Sequence, residues 1–436
     1  MHCRQNQIIE GIYAFQNDEG KEFVYSGNSG LLLECNNRVR DFIAGNSGED
    51  MELVKYLCSD TISKRFALTA GAVNKSHTLT LDFSYGGDVL FRQNDRKEDM
   101  SEKSFKTVEA GIEYFLKKFS CKNGVNISFL SSQFIPYFAP IKDFIESIAV
   151  IAAKHNIKLQ FVLNTDTVLF SEEILRYVIE NNFIIVMNIS TDNYVKTGKL
   201  FDEYELYLMR ENVGYITQYN SIFTKILLKD INIDFIKLYK ELSGTGLDII
   251  SIQIADSRFY CENQYEDVRK SLQRFGGFFL ENLKKGKVVK FPGYINIIKA
   301  IQNAFDNSIS GFPCGAGISD FKLNLDGDIF LCSCHTVYSN HKLHNIYSPV
   351  ENENILNFRT GHNVLQRSLQ CSKCWAAYLC GGTCYYDLYD LTQLTANENQ
   401  CFFKMEIIKN ALYIYSSLNQ QQRMVFDNMR GGVLWW

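Results

Sequence analysis

Seven cysteines in the last third of the chain are the side chains best suited to metal chemistry. They lie in and around the segment CSKCWAAYLCGGTC and are Cys314, Cys332, Cys371, Cys374, Cys380, Cys384 and Cys401. Within that segment, two, five and three residues separate successive cysteines. Deprotonated thiols are soft ligands that bind zinc, copper(I) and iron–sulfur clusters. This spacing predicts a metal centre formed largely by one short stretch of chain.

Zinc and iron–sulfur clusters are the two centres that such cysteines commonly hold. A structural zinc site usually takes four ligands, arranged as two close pairs. Seven cysteines with uneven spacing fit better with iron–sulfur clusters, which thiolates on short loops hold in place. Gly381 and Gly382 lie inside the segment, and glycine lets the backbone approach a cluster without a side-chain clash. The sequence favours iron–sulfur clusters over zinc.

The composition is that of a globular protein without signs of nucleic-acid or membrane binding. The chain has 436 residues, of which 46% are hydrophobic, so two or three domains are expected. Its formal net charge is −4 and it has no block of Lys and Arg, which argues against nucleic acid and anionic membranes as partners. The start of the chain lacks a secretory-signal pattern, and no apolar run reaches transmembrane length. We expect a cytoplasmic location.

Cysteines outside the metal centre are expected to be reduced in that compartment. Five are scattered singly and are predicted to be small apolar core residues: Cys3, Cys35, Cys58, Cys121 and Cys261. Cys334 fits neither group.

Residues 1–72 are predicted to form a small α+β module. The runs IYAFQND, EFVYSG and GLLLECN are typical of short strands separated by turns, and Asn36 or Asn37 is a candidate cap for a helix over RVRDFIAG. A second helix is expected over DMELVKYLCSD. Three strands followed by helices also resemble the winged-helix modules that bind leader peptides in peptide-modifying enzymes. A simple cap on the next domain is an equally good interpretation.

Residues 73–305 alternate between strand-like and helix-like segments. Strands are predicted at LTLDF 79–83, VNISFL 125–130, LQFVLN 159–164, FIIVMNIS 183–190, YITQYNSI 215–222 and IISIQIA 249–255. Helical periodicity follows each of them, with start signals such as Ser171 before two glutamates. Six βα units predict a parallel sheet covered by helices, in an open or partial barrel with its site at the carboxyl ends of the strands.

The cysteine pattern of residues 306–436, with YLCGGTC at its centre, resembles the SPASM domain of radical S-adenosylmethionine (SAM) enzymes that modify peptides and proteins. The resemblance implies an α/β fold, namely a partial (β/α)6 barrel with an N-terminal module and a C-terminal domain that holds two auxiliary 4Fe–4S clusters. It would assign one cluster to Cys371, Cys374, Cys380 and Cys401, and the second to Cys314, Cys332 and Cys384.

The second cluster is one ligand short, because the position at which some members have a further cysteine is Ser308. That cluster would either keep an open iron or use Cys334, His335 or Cys261 as a ligand. His335 by itself is more typical of a polar loop residue.

The motif that defines radical SAM catalysis is missing. The resemblance would place CxxxCxxC in the loop after the first barrel strand, which here reads LTLDFSYGGDVLFRQND and contains no cysteine. The GGE-type turn that contacts SAM in the family is replaced by LSSQF, residues 130–134. Ser84, Tyr85 and Asp88 could not replace the thiolates of a low-potential cluster. We therefore expect no SAM binding and no radical generated from SAM.

Three functions remain open at this stage. The first is a pseudoenzyme of peptide maturation that binds a ribosomally made precursor peptide, or forms a heterodimer with a complete radical SAM maturase. The second is an iron–sulfur electron-transfer partner of such a maturase. The third is an enzyme that uses an open iron of the second cluster as a Lewis acid. Five aromatic residues near the barrel mouth are candidate peptide contacts, with packing as the commoner role: Tyr85, Phe91, Phe134, Tyr137 and Phe138.

Overall fold

The computed structural model of the chain describes most of its regular elements. The described residues are 11–43, 57, 77–83, 102–119, 124–166, 170–192, 197, 199–217, 222–228, 233–247, 250–254, 262–302, 315–317, 319–332, 342–348, 369–382 and 398–427.

An antiparallel three-stranded sheet opens the described chain. Its strands are β1 (Ile12–Gln16), β2 (Glu22–Ser26) and β3 (Leu32–Glu34), paired in that order. Helix α1 (Asn37–Ile43) follows and is capped by Asn36, whose side-chain oxygen accepts a bond from the Val39 amide at 3.0 Å. A small apolar core joins this sheet to α1. The three strands and the first helix of the predicted N-terminal module are therefore present; its second predicted helix lies outside the described residues except for Leu57.

A nine-stranded mixed sheet forms the centre of the molecule. Its strands in chain order are β4 (His77–Asp82), β5 (Val125–Leu130), β6 (Leu159–Thr165), β7 (Ile184–Ser190), β8 (Ile222–Leu228), β9 (Ile250–Ile254), β10 (Asp320–Asn324), β11 (Asp328–Phe330) and β12 (Lys342–Asn345). Strands β4 to β9 are all parallel and lie side by side in chain order. Strand β10 pairs in parallel with β4, and β11 and β12 continue outward as antiparallel strands.

Helices follow the parallel strands and cover the sheet. In chain order they are α2 (Glu102–Lys118), α3 (Ser131–Phe134), α4 (Phe138–Lys154), α5 (Glu172–Glu180), α6 (Glu203–Thr217), α7 (Phe235–Ser243), α8 (Glu262–Lys284), α9 (Pro292–Gln302), α10 (Leu369–Ser372), α11 (Ala377–Cys380), α12 (Glu398–Ser416) and α13 (Gln420–Asp427). None of the helices within the described ranges is both long and apolar enough to cross a bilayer.

The two faces of the parallel sheet differ in chemistry because side chains alternate along each strand. One face is apolar and packs against the helices in a single large core, through residues such as Leu81, Phe129 and Leu163. The other face, which we call the polar face, carries amides and hydroxyls alongside apolar residues such as Val162. Hydrogen bonds join neighbouring strands there: Asn126 donates to the Thr78 hydroxyl at 3.3 Å. The helices thus leave one polar face available for a site, as the predicted α/β architecture requires.

Most sequence-predicted strands are present, but one was placed wrongly. The prediction put a strand at 215–222, whereas α6 continues to Thr217 and β8 begins at Ile222. The run IFTKILL of β8 alternates between buried and half-buried residues, which is the pattern of a strand with one covered face. Regular structure beyond residue 290 was also underestimated, since α9 and the strands β10 to β12 had not been predicted.

Strand β12 contributes a buried histidine, and we expect its titration to make the stability of the fold depend on pH. His344 lies against Tyr114 of α2, and the Nε2 atom of His344 is 3.3 Å from the Tyr114 hydroxyl. The Nδ1 atom of His344 is buried and has no hydrogen-bond partner. Burial lowers the pKa of His344, and the nearby Lys118 and Lys342 lower it further against an opposing effect of Asp328. The fold therefore favours the neutral imidazole.

A histidine with a lowered pKa stabilises the fold fully above its unfolded pKa of about 6.5 and loses that contribution as the pH falls below it. We expect the midpoint of urea unfolding to fall between pH 7 and pH 5.5. In His344→Phe the fall should be smaller, because phenylalanine cannot be protonated. An equal pH dependence in both proteins would rule out His344 as its source.

Candidate metal centre

The described part of the predicted cysteine cluster is a compact loop, residues 371–382, which we call the cysteine loop. Cys371 lies in the one-turn helix α10, Cys374 follows it, and Cys380 ends the one-turn helix α11. The amide of Cys374 donates to the Cys371 carbonyl at 3.2 Å, and the amide of Cys380 donates to the Ala376 carbonyl at 2.8 Å. These turns bring the three cysteines of the loop together.

Two glycines let the chain leave the loop after Cys380. Gly381 has φ +66° and Gly382 has φ +96°, which are left-handed conformations that residues with a Cβ rarely adopt. The Cys380 sulfur lies 3.7 Å from the Gly382 carbonyl oxygen. Glycine is needed here for the turn itself, and the predicted close approach of this backbone to a cluster stays a prediction.

The fourth predicted ligand comes from a different element. Cys401 lies in the first turn of α12, and the charges of Cys371, Cys374 and Cys380 all act on it. Burial, with a smaller effect of these thiols, raises the pKa of Cys401 to about 12 and that of Cys374 to about 11. All four thiols are half-buried and form no disulfide. The four cysteines thus lie near enough for the charges of three of them to act on Cys401, while their assignment to one cluster stays a prediction.

Cysteine thiolates are ligands of both zinc and iron–sulfur clusters, so the chemistry of the donor set suits either centre. Among the residues with described positions, no three His, Cys, Asp or Glu side chains converge closely enough to bind one metal ion. Burial is the main cause of the raised pKa values of Cys374 and Cys401, and the neighbouring thiols add a smaller effect.

The second predicted cluster is described only in part. Cys332 lies just after β11 and is half-buried. Cys314 and Cys384 lie outside the described residues, as do the three candidates for an additional ligand: Cys334, His335 and Cys261. Cys35 is half-buried beside the small N-terminal core, and burial raises the pKa of its thiol to about 11. The expectation that Cys35 is a core residue agrees with this position.

Lys404, which sequence reasoning did not single out, holds the end of the cysteine loop. It lies one turn after Cys401 on α12, and its ammonium group donates to the Gly382 carbonyl at 2.7 Å. Hydrogen bonds from charged donors are roughly twice as strong as neutral ones. Lys404 therefore links the two chain segments that supply the four thiols.

We expect Lys404→Met to weaken the hold of the protein on iron, because it removes a bond worth about 1.5–3 kcal/mol. The measurement is the rate of iron loss to a chelator under anaerobic conditions, with Lys404→Arg as the control that keeps a charged donor. The variant with methionine should lose iron several-fold faster. Equal rates in all three proteins would show that this bond does not support the site.

A second polar site lies at the carboxyl end of β4, where the sequence predicted the mouth of the sheet. Asp82 ends β4 and forms an ion pair with Lys322 of β10, and both side chains are almost fully buried. Gln133 of α3 donates to the Asp82 carboxylate at 2.9 Å and accepts a bond from the Phe83 amide at 3.3 Å. The only signal for this site in the sequence is the single carboxylate of the predicted strand LTLDF, which by itself indicates no role.

The polar face continues from this ion pair across the neighbouring strands. Asn164 of β6 donates to the Ser128 hydroxyl of β5 at 2.5 Å. Farther along the sheet, Asn188 of β7 lies beside Lys225 of β8 in the strand register, and both are half-buried. Ligands of parallel α/β sheets bind at the carboxyl ends of the strands, so this row of amides, hydroxyls and one lysine is the accessible part of a candidate binding surface.

Three of the aromatic residues predicted near the mouth are described, and two of them serve packing. Phe134 is fully buried and Phe138 nearly so, and their rings contact each other, with centroids 5.7 Å apart. Tyr137 is half-buried. Tyr85 and Phe91 lie outside the described residues. For Phe134 and Phe138 the commoner of the two predicted roles, packing, is the one that the structure shows, because both rings lie in the large core.

Comparison with known proteins finds similarity in structure and none in sequence. No family model matches the chain, and no curated protein matches its sequence. The structure of hexahistidine-tagged anSMEcpe with bound AdoMet matches with a TM-score of 0.60 and 15% identity, over 81% of this chain and 98% of that one. Native anSMEcpe with bound AdoMet and Cp18Cys peptide matches with a TM-score of 0.56 and 17% identity, over 81% and 100%.

The chain has a radical-SAM-like fold. This follows from the mixed α/β architecture, with its parallel sheet and covering helices, which matches these structures over nearly their whole length. Streptococcus suis SuiB bound to precursor peptide SuiA is a more distant likeness, with a TM-score of 0.46 and 12% identity over 88% of this chain and 96% of that one.

Proposed function

We propose that this protein is a catalytically degenerate radical SAM/SPASM-like protein that takes part in the maturation of a ribosomally synthesised peptide. The observation that supports this most strongly is the combination of a radical-SAM-like fold with the absence of cysteine from residues 59–120, the stretch that contains the loop after β4. In the family that the sequence resembles, this loop supplies the thiolates of the SAM cluster. The protein keeps the scaffold and has lost the ligands of the radical chemistry.

The C-terminal region would still hold iron. We assign the first auxiliary 4Fe–4S cluster to Cys371, Cys374, Cys380 and Cys401, and the grouping of these four thiols supports that assignment. The second is proposed for the remaining predicted ligands, which are Cys314, Cys332 and Cys384. Such clusters supply electron transfer or structural support when bound. The chain itself supplies four half-buried thiols and the backbone turns that orient them.

The polar face of the sheet would then bind peptide rather than SAM. Its amides and hydroxyls at Asn164, Asn188 and Ser190 are suited to the backbone groups of an extended peptide, and a peptide is present together with AdoMet in the anSMEcpe structure described above. The N-terminal module is a further candidate site for the leader segment of a precursor. The proposed partners are a precursor peptide and a complete radical SAM maturase. With the maturase, this protein would form a heterodimer and present the peptide to it.

Anaerobic purification of the tagged protein from its own host tests this function. The proposal predicts recovery of a complete radical SAM enzyme or a short precursor peptide, in amounts comparable to the bait. The same partner should be recovered when it carries the tag instead. Recovery of the protein alone, with iron bound, would contradict the proposed role in peptide maturation.

Electron transfer to a maturase is the second candidate. It requires a cluster near the surface, and all four cysteines of the first proposed cluster are only half-buried. Recovery of a ferredoxin or a reductase in the same experiment, with no peptide or maturase, would favour this function.

A further inference from the structure

The N-terminal sheet lies directly on the cysteine loop. Tyr13 of β1 stacks on Trp375, the residue after Cys374, with ring centroids 4.3 Å apart and an interplanar angle of 13°. Tyr25 of β2 contacts the same indole edge-on, at 6.1 Å and 77°. Two aromatic rings from the start of the chain therefore fix the orientation of a side chain adjacent to a proposed iron ligand.

The contact also involves the backbone of the loop. A Cβ placed on Gly27, just after β2, would overlap the carbonyl oxygen of Trp375. Only glycine allows this approach, so the two backbones meet without a side chain between them. Trp375 is 7% exposed, which means that its burial depends on the N-terminal sheet as well as on the loop itself.

Two further contacts connect the N-terminal sheet to neighbouring helices. Asn17, at the end of β1, donates to the Ser416 carbonyl at the end of α12. Asp18 forms an ion pair with Lys284 at the end of α8. The sheet is thus held beside α12, the helix that supplies Cys401, and not only against Trp375.

The cysteine loop transmits the position of Trp375 to the thiols. The Cys374 carbonyl accepts a bond from the Ala377 amide at 3.1 Å, and the Ala376 carbonyl accepts one from the Cys380 amide at 2.8 Å. Trp375 lies between Cys374 and Ala377 in the first of these turns and directly precedes Ala376, which begins the second. A shift of the indole would therefore move Cys374 directly and Cys380 through one turn of backbone.

We propose that Trp375 is a positioning residue, through which the N-terminal sheet holds the cysteine loop in the conformation that binds the first cluster. The inference rests on the proposed iron–sulfur function of this loop. It gives the N-terminal sheet a role separate from leader-peptide binding: the sheet forms part of the metal site although it contributes no ligand. By linkage, a bound cluster stabilises the docked sheet to the same extent that the docked sheet stabilises the cluster.

Substitutions in the N-terminal sheet test this inference without changing any cysteine of the loop. Tyr13→Ala removes the stacking ring and Gly27→Val separates the two backbones. Tyr13→Phe restores the ring. Leu33→Ala is the matched control, because Leu33 packs against the small core on the opposite side of the sheet. The readouts for each full-length protein are iron and sulfide per chain after anaerobic reconstitution, and the electron paramagnetic resonance spectrum after reduction.

Cys374→Ala, which removes a proposed ligand, serves as the reference for loss of the first cluster. Tyr13→Ala and Gly27→Val should lose about half or more of their iron, and they should lose the same spectral component as Cys374→Ala. Tyr13→Phe and Leu33→Ala should resemble the unmodified protein. If Tyr13→Ala and Gly27→Val keep their iron and spectrum while Cys374→Ala loses them, the positioning role is wrong and the cluster assignment stands. If the unmodified protein takes up no iron, the proposed iron–sulfur function fails, and the positioning role fails with it.

Discussion

Replacing Lys322 with methionine is expected to lower the free energy of unfolding by about 3–5 kcal/mol, the typical cost of removing one partner of a buried ion pair. The side chains of Lys322 and Asp82 are almost fully buried, so the remaining carboxylate would be left charged and poorly solvated. Gln133 donates a hydrogen bond to one oxygen of that carboxylate. The measurement is urea unfolding of the iron-free protein at neutral pH, compared with the unmodified chain.

The double variant Lys322→Met, Asp82→Asn provides the control. Asparagine cannot carry the charge but can still accept the bond from Gln133, so at least half of the lost stability should return. This pair joins β10 to β4 and therefore the C-terminal region to the first parallel strand. A loss below about 1 kcal/mol in Lys322→Met, the range of exposed ion pairs, would contradict the burial of the pair.

The second large effect is expected from the cysteine loop. Cys380→Ala should lower iron per chain by about half if two clusters form, because a cubane held by thiolates is retained poorly when one ligand is missing. Cys35→Ala is the matched control, since Cys35 is also a half-buried cysteine but lies beside the N-terminal core. Its iron content should not change. Equal iron in both variants would remove Cys380 from the ligand set.

The local features of the fold were largely predictable from the sequence because they depend on short-range patterns. Strand β5 occupies the predicted residues 125–130. Ser171 caps α5 as expected, with its hydroxyl accepting a bond from the Ile174 amide at 3.4 Å. Three of the four cysteines assigned to one cluster share one short loop, and their charges act on Cys401 at the start of α12. The shared cluster itself stays a prediction.

The contacts that position these features could not be predicted, since they join residues that are far apart in the chain. Asp82 and Lys322 each looked like an ordinary charged residue, and only the pairing of β4 with β10 makes them an ion pair. The contact of Trp375 likewise has no signal in the sequence, because its partner Tyr13 belongs to β1, far from it in the chain. The strand predicted at 215–222 failed for a related reason: its apolar residues extend an amphipathic helix whose buried face includes Val213 and Ile216.

The most direct test of degenerate radical SAM function measures deoxyadenosine and iron in the same sample. The reconstituted protein is incubated with SAM and dithionite without oxygen, beside a complete radical SAM maturase as positive control. We predict bound iron and no deoxyadenosine above the level of a protein-free blank. Formation of deoxyadenosine at one or more equivalents per chain would contradict the proposed loss of the SAM cluster and restore an enzymatic function to this fold.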